Sequence, residues 1–133
     1  MQAEIAQLAK YRLDKARECL SDAQVAFEED RLANSINRSY YAVFHATRAL
    51  LALDSFDSKK HSTIIGYFNQ HYIATGKLEA IYYQQLSNAF RIRNKTDYDD
   101  FYVVSRDDAK HQLQNAQAFA AYIGQYIELL IAG

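Results

Sequence analysis

The stretch Leu32-Ala33-Asn34-Ser35-Ile36-Asn37-Arg38-Ser39-Tyr40-Tyr41-Ala42-Val43-Phe44-His45-Ala46-Thr47-Arg48-Ala49-Leu50-Leu51 decides the fold class. Leu32, Ile36, Tyr40, Val43, Phe44 and Leu51 form an apolar stripe at helical spacing, and Thr47 fills its one polar place. Arg48 is the only charge between Tyr40 and Leu53, so this helix is predicted to be the most buried of the chain.

The same period runs outward in both directions. Upstream, Leu13, Ala16, Leu20, Ala23 and Phe27 mark a core-facing helix that stops at the acidic break Glu28-Glu29-Asp30. Downstream, Asp54 to Ser58 gathers turn formers and N-cap candidates ahead of a shorter helix carrying Ile64, Ile65, Phe68 and Tyr72, with Gly76 as its stop. A fourth helix carries Leu78, Ile81, Tyr82, Leu86, Ala89 and Phe90, and its pattern dissolves into a polar block from Arg91 to Asp100. Ser105 with Asp108 three residues later opens a last helix through Leu113, Ala116, Ala120, Ile123, Ile127 and Leu130. With no proline and only four glycines, helix breakers are nearly absent. The expectation is an all-α, antiparallel up-and-down bundle of about five helices, one domain over residues 1–133.

Composition narrows the function classes. Fifteen basic and 16 acidic residues leave a net charge of −1, so any attraction to nucleic acid must be local. The lone Cys19 has no disulfide partner, the first residues lack a signal-peptide pattern, and the apolar run from Ala120 to Ala132 is too short to span a bilayer. A cytoplasmic protein without a membrane segment is expected. His45, His61, His71 and His111 lie on different predicted elements with no i+3 or i+4 pairing, so no metal site is expected. Isolated glycines exclude a P-loop or a dinucleotide-binding turn, and no cofactor is expected.

The polar block is the remaining candidate site. Arg91, Arg93 and Lys95 alternate with neutral residues, and Asp97, Tyr98, Asp99 and Asp100 follow. Read blandly, this is a frayed, solvated helix end whose Arg93 and Asp97 form a weak i,i+4 pair. Against that, arginine offers a planar fork suited to phosphate oxygens, and tyrosine can stack on a base or take a modification at its hydroxyl. Asn37 also sits in the apolar second helix, where an unpartnered amide is costly. An asparagine buried against Arg93 accounts for both features.

These residues resemble the HEPN domains of prokaryotic nucleotidyltransferase-associated proteins. The resemblance runs through Asn37 to Ala46, Ala49-Leu50-Leu51, Lys60-His61-Ser62 and Arg93 to Asp99, and extends into the last helix at Ala109 and at Ala116 to Phe119. It implies a homodimer with two Arg-bearing segments facing one another across a cleft, and a minimal nucleotidyltransferase as partner. Many such domains are RNA endonuclease toxins that the partner neutralises by modifying a tyrosine. The implied site is Arg93 and Asp97 as catalytic residues, Asn37, Arg91, Arg93 and Lys95 as nucleotide or RNA binders, and Tyr98 as the modification target.

One departure matters. The family's ribonuclease motif places a histidine after four to six residues from its arginine. From Arg93 those positions hold Tyr98, Asp99 and Asp100; from Arg91 they hold Thr96, Asp97 and Tyr98. Metal-independent RNA cleavage needs a group that moves protons near neutral pH, and the ordinary pKa values of tyrosine (about 10) and aspartate (about 3.9) lie far from it. The leading expectation is therefore a dimeric nucleotide- or RNA-binding component of a toxin–antitoxin-like module. An endonuclease toxin using Arg93, and a purely structural helical bundle, are the alternatives.

Overall fold

The computed structural model describes Met1–Gly133 and contains five α-helices and no strand. Helices α1 (Ala3–Glu28), α2 (Leu32–Ala52), α3 (His61–Phe68), α4 (Ala80–Tyr98) and α5 (Arg106–Ala132) form the antiparallel bundle expected from the stripes. A π-helical turn, Asn69–Ile73, extends α3, and the chain then reverses through Gly76, whose φ of 78° suits a residue without a Cβ. No helix is long and apolar enough to cross a membrane.

Helix α2 is the centre, packed by α1, α4 and α5, and 13 of its 21 residues are buried. Two of its three buried serine and threonine hydroxyls are satisfied: Thr47 donates to the Val43 carbonyl at 2.9 Å, and Ser35 donates to the Ala23 carbonyl of α1 at 2.9 Å, whereas the Ser39 hydroxyl is buried without a partner. The first helix packs differently from its expected stripe. Its buried residues are Ala9, Leu13, Ala16, Cys19, Ala23 and Ala26, while Leu20 and Phe27 are half-buried on its flank. Small side chains take the contact line because they let the α1 and α2 backbones approach closely, and the larger residues are displaced to the edges.

The Asp54–Ser58 turn forms, with Ser55 at a φ of 55°, but none of its side chains caps α3. Asp57 instead accepts from the Ser58 amide and receives Arg48 at 2.8 Å and Arg12 at 3.1 Å, tying the loop to α2 and α1. Asp54 accepts from the Tyr72 hydroxyl at 2.8 Å and the Tyr67 hydroxyl at 3.2 Å, which fixes the loop to α3 and the π turn. At the start of α5, the Ser105 hydroxyl accepts from the Asp108 amide at 3.0 Å, so the expected serine cap is made.

Two expectations for α4 are corrected. Ile81 is 45% exposed rather than core-facing, and Leu78, although buried, precedes the helix. The apolar pattern dissolves after Phe90, but the helix does not end with it. It runs on through the polar block to Tyr98, presenting Arg93 to the bundle.

Candidate functional site

Arg93 is 6% exposed, the only buried residue of α4 beyond Ala89. A frayed helix end does not bury an arginine, so the bland reading of this block fails at this position. Its guanidinium carbon lies 4.8 Å from the Tyr40 ring centroid, 5.5 Å from Tyr41, 5.8 Å from Phe90 and 5.9 Å from Tyr98. Such a box stabilises a cation through the ring faces but offers no acceptor for its N–H groups. Nη1 approaches the Asp97 carboxylate at 3.7 Å, beyond hydrogen-bond length, and Nη2 reaches Nδ1 of His61 at 3.3 Å. The Nε group is buried without a partner.

Asn37 meets Asp97 rather than Arg93. Its amide nitrogen donates to the same carboxylate oxygen that faces Arg93, at 3.0 Å, and its amide oxygen accepts from Nε and Nη2 of Arg38 at 3.0 and 2.6 Å. The expected direct contact is thus a bridge through a carboxylate, and Asn37 is half-buried rather than buried. The physical reason is donor balance: with its amide oxygen taken by Arg38, Asn37 has only N–H groups left to offer, a guanidinium likewise only donates, and a shared carboxylate reconciles them.

His61 was not singled out as a site residue from the sequence. It opens α3, 32 positions before Arg93, yet its ring stacks on Phe44 at 4.1 Å and its Nδ1 lies 2.6 Å from the Tyr40 hydroxyl. Because arginine can only donate, Nδ1 is an acceptor here, which makes His61 neutral with its proton on Nε2. Burial, then the charges of Arg93 and Arg48, hold its pKa below the usual range and favour the same neutral form. Burial likewise pushes the Tyr40 hydroxyl up, keeping it a protonated donor.

The other predicted residues lie elsewhere on the helix. Arg91 and Lys95 are two positions from Arg93, about 200° round an α-helix, and both are exposed. With Phe90, Tyr98 and Phe101 they line an open cavity of about 750 Å³. Arg91 donates to Asn88 at 2.6 Å, and the Lys95 ammonium lies 5.9 Å from the Tyr102 ring. Tyr98, 74% exposed, borders this cavity and also faces Arg93, so it joins the two groups. The structure therefore brings Arg93, Asp97, Asn37 and Tyr98 together and sets Arg91 and Lys95 apart.

Comparison with known proteins agrees with the local resemblances. The model of the HEPN domain matches residues 9–126. A UPF0332 protein of Thermotoga maritima is 31% identical over 121 residues, covering 91% of this chain and 92% of its own. A UPF0332 protein of Archaeoglobus fulgidus is 33% identical over 108 residues, 81% of this chain and 86% of its own. A Methanocaldococcus jannaschii protein named as a candidate toxin is 34% identical over 86 residues, 65% of this chain and 64% of its own.

Proposed function

We propose, from the premise that this chain belongs to the HEPN domain family, that it binds RNA or a nucleotide at Arg93 as part of a toxin–antitoxin-like module. In this reading it is a homodimer and its partner is a minimal nucleotidyltransferase. The observation that carries the reading is the unmet hydrogen-bonding capacity of Arg93. A guanidinium has five N–H donors, and here one acceptor lies within hydrogen-bond distance while Nε has none. Burying such a group costs free energy unless an acceptor arrives, and a phosphate oxygen matches its fork.

Asp97 and Asn37 orient the guanidinium, and Arg91 and Lys95 supply cations to the neighbouring cavity. The exposed Tyr98 hydroxyl is the point of modification. Its oxygen bonds to the α-phosphorus of a nucleoside triphosphate held by the partner, pyrophosphate leaves, and the phenolic proton passes to solvent. Relatives named as candidate toxins support the toxin side of the module.

The test is titration of the purified chain with labelled single-stranded RNA and with nucleotides, beside co-purification with a co-expressed minimal nucleotidyltransferase. Binding that Arg93→Gln abolishes is expected, as is added nucleotide mass that Tyr98→Phe removes. No affinity for RNA, nucleotides or the transferase overturns the reading.

A second reading, a metal-independent RNA endonuclease, is favoured by one contact: His61 lies where a motif histidine would be wanted, 3.3 Å from Arg93. Cleavage requires the ribose 2′-oxygen to attack phosphorus, its proton to leave, and the bond to the 5′-oxygen to break with protonation of that oxygen. The neutral tautomer of His61, with Nδ1 occupied and Nε2 protonated, is poorly prepared to accept that proton, which places binding first. Growth arrest on expression, relieved by both Arg93→Ala and His61→Asn, would reverse that order; intact cellular RNA under strong induction would eliminate the nuclease.

A further inference from the structure

Arg38, like Arg93, has N–H groups without an acceptor, although its Nε is bonded, and it shares an aromatic neighbour with Arg93. Its guanidinium carbon lies 5.1 Å from the Tyr41 centroid, against 5.5 Å for Arg93. Unlike Arg12, Arg17, Arg48 and Arg106, Arg38 has no carboxylate within 4.0 Å. Its acceptor is the neutral Asn37 amide oxygen, which takes two of its five donors. The cleft beside it, about 490 Å³, is lined by Asp22 and Glu29 as well as by Arg31; Glu29 pairs with Arg31 at 3.6 Å, and neither acid pairs with Arg38.

Two guanidiniums therefore meet at Tyr41 with one carboxylate, Asp97, between them. Asn37 fixes both sides of this arrangement, its oxygen toward Arg38 and its nitrogen toward Asp97. Arg38, Arg93 and Asp97 by themselves carry one net positive charge, with Asp22 and Glu29 of the adjoining cleft beyond pairing distance of Arg38, and a phosphodiester carries one negative charge. A buried or half-buried excess cation is stabilised when an anion with several acceptor oxygens joins it.

We propose that Arg38 is a second phosphate-binding residue, so that Arg38 and Arg93, aligned by Asn37 and Tyr41, hold the backbone of single-stranded RNA. This rests on the RNA-binding reading and narrows it to a site that contacts the strand through two guanidiniums rather than one. Single-stranded RNA suits the surroundings because exposed Tyr98 and Phe101, close along the chain, offer ring faces on which unpaired bases stack.

The experiment is fluorescence anisotropy of a short labelled single-stranded RNA with the full chain, titrated at several salt concentrations. For single strands, each neutralised phosphate contributes about 0.7 to the slope of log affinity against log salt. Arg38→Gln is expected to weaken binding about tenfold and to lower the slope by about 0.7. Arg38→Lys, which keeps the charge but not the fork, is expected to keep the slope and lose only part of the affinity. Arg38→Met, whose unbranched side chain preserves packing on Tyr41, is measured alongside in case the glutamine variant does not fold, with the same expected slope. If the uncharged Arg38 variants keep wild-type affinity and slope while Arg93→Gln loses both, the two-arginine site is wrong and the RNA-binding reading survives. If the wild-type chain does not bind RNA at any salt concentration, the reading itself fails.

Discussion

Replacing Arg93 with methionine should abolish RNA binding and yet leave the protein at least as stable as wild type. Methionine keeps an unbranched side chain inside the box of Tyr40, Tyr41, Phe90 and Tyr98, so no large void opens. The losses are cation–π attraction, about 1–2 kcal/mol over the nearest rings, and the contact to His61, about 1 kcal/mol. The Asp97 pair at 3.7 Å adds less than about 1 kcal/mol, because the Asp97 side chain is 27% exposed and keeps its bond from Asn37. Against these stand the unpartnered Nε group, about 1–3 kcal/mol, and the desolvation of the guanidinium, several kcal/mol. The gains match the losses or exceed them by up to a few kcal/mol, so the melting temperature should stay at or above that of wild type. Leu86→Ala on the same helix, at a site 0% exposed, is the contrast and should cost about 2–5 kcal/mol. Urea denaturation of the three proteins decides the matter. A loss of 2 kcal/mol or more in the methionine variant, at the lower bound for Leu86→Ala, would refute the argument that Arg93 is held against the interest of the fold.

Asp57→Ala should cost about 2–3 kcal/mol in urea denaturation, because it leaves the Arg12 and Arg48 guanidiniums, 12% and 23% exposed, without their shared carboxylate; an effect below about 0.5 kcal/mol would show the loop is held by other means. Stability should also fall on acidification. Burial, then the charges of Arg48, Lys15, Arg38 and Arg12, lower the His45 pKa from 6.5 to about 4. The unfolded chain therefore binds the extra proton first, and stability is lost as pH falls from about 6.5 toward 4. For a half-buried ring the loss is about 1–2 kcal/mol. Thermal melts across this range should show that slope, and His45→Gln should reduce it, leaving the part due to His61, whose pKa is also held down.

The bundle was legible because its signals are local. Three-four stripes through Leu13–Ala23, Ile36–Leu51 and Leu113–Ile127 need no knowledge of distant residues, and without proline nothing contradicts them. The end of α4 was not legible because its inward face from Arg93 to Asp97 is polar, so apolar periodicity vanishes where the helix continues. Asn37 was legible as an amide in an apolar helix, although its partner is Asp97. His61 left no local trace beyond its place in Lys60-His61-Ser62, since its meeting with Arg93 depends on how α3 folds back against α2 and α4. Arg38 stood out only as a member of the stretch Asn37 to Ala46, because an unpaired guanidinium is recognisable only once the surrounding carboxylates have positions.

The last turns of α4 are joined to the bundle in an unusual way. Beyond Ala89 only one residue is buried, and it is a cation held by ring faces, an imidazole and a carboxylate that is itself tethered by an amide. Such an attachment contributes little apolar burial, so backbone amides from Ile92 to Tyr98 should exchange with solvent hydrogen by local opening, well before those of α2. An anion seated on Arg93 would supply the missing adhesion, and occupancy and helical order at this end would then rise together. A partner could read the bound state from the firmness of a helix end, with no rearrangement of the core.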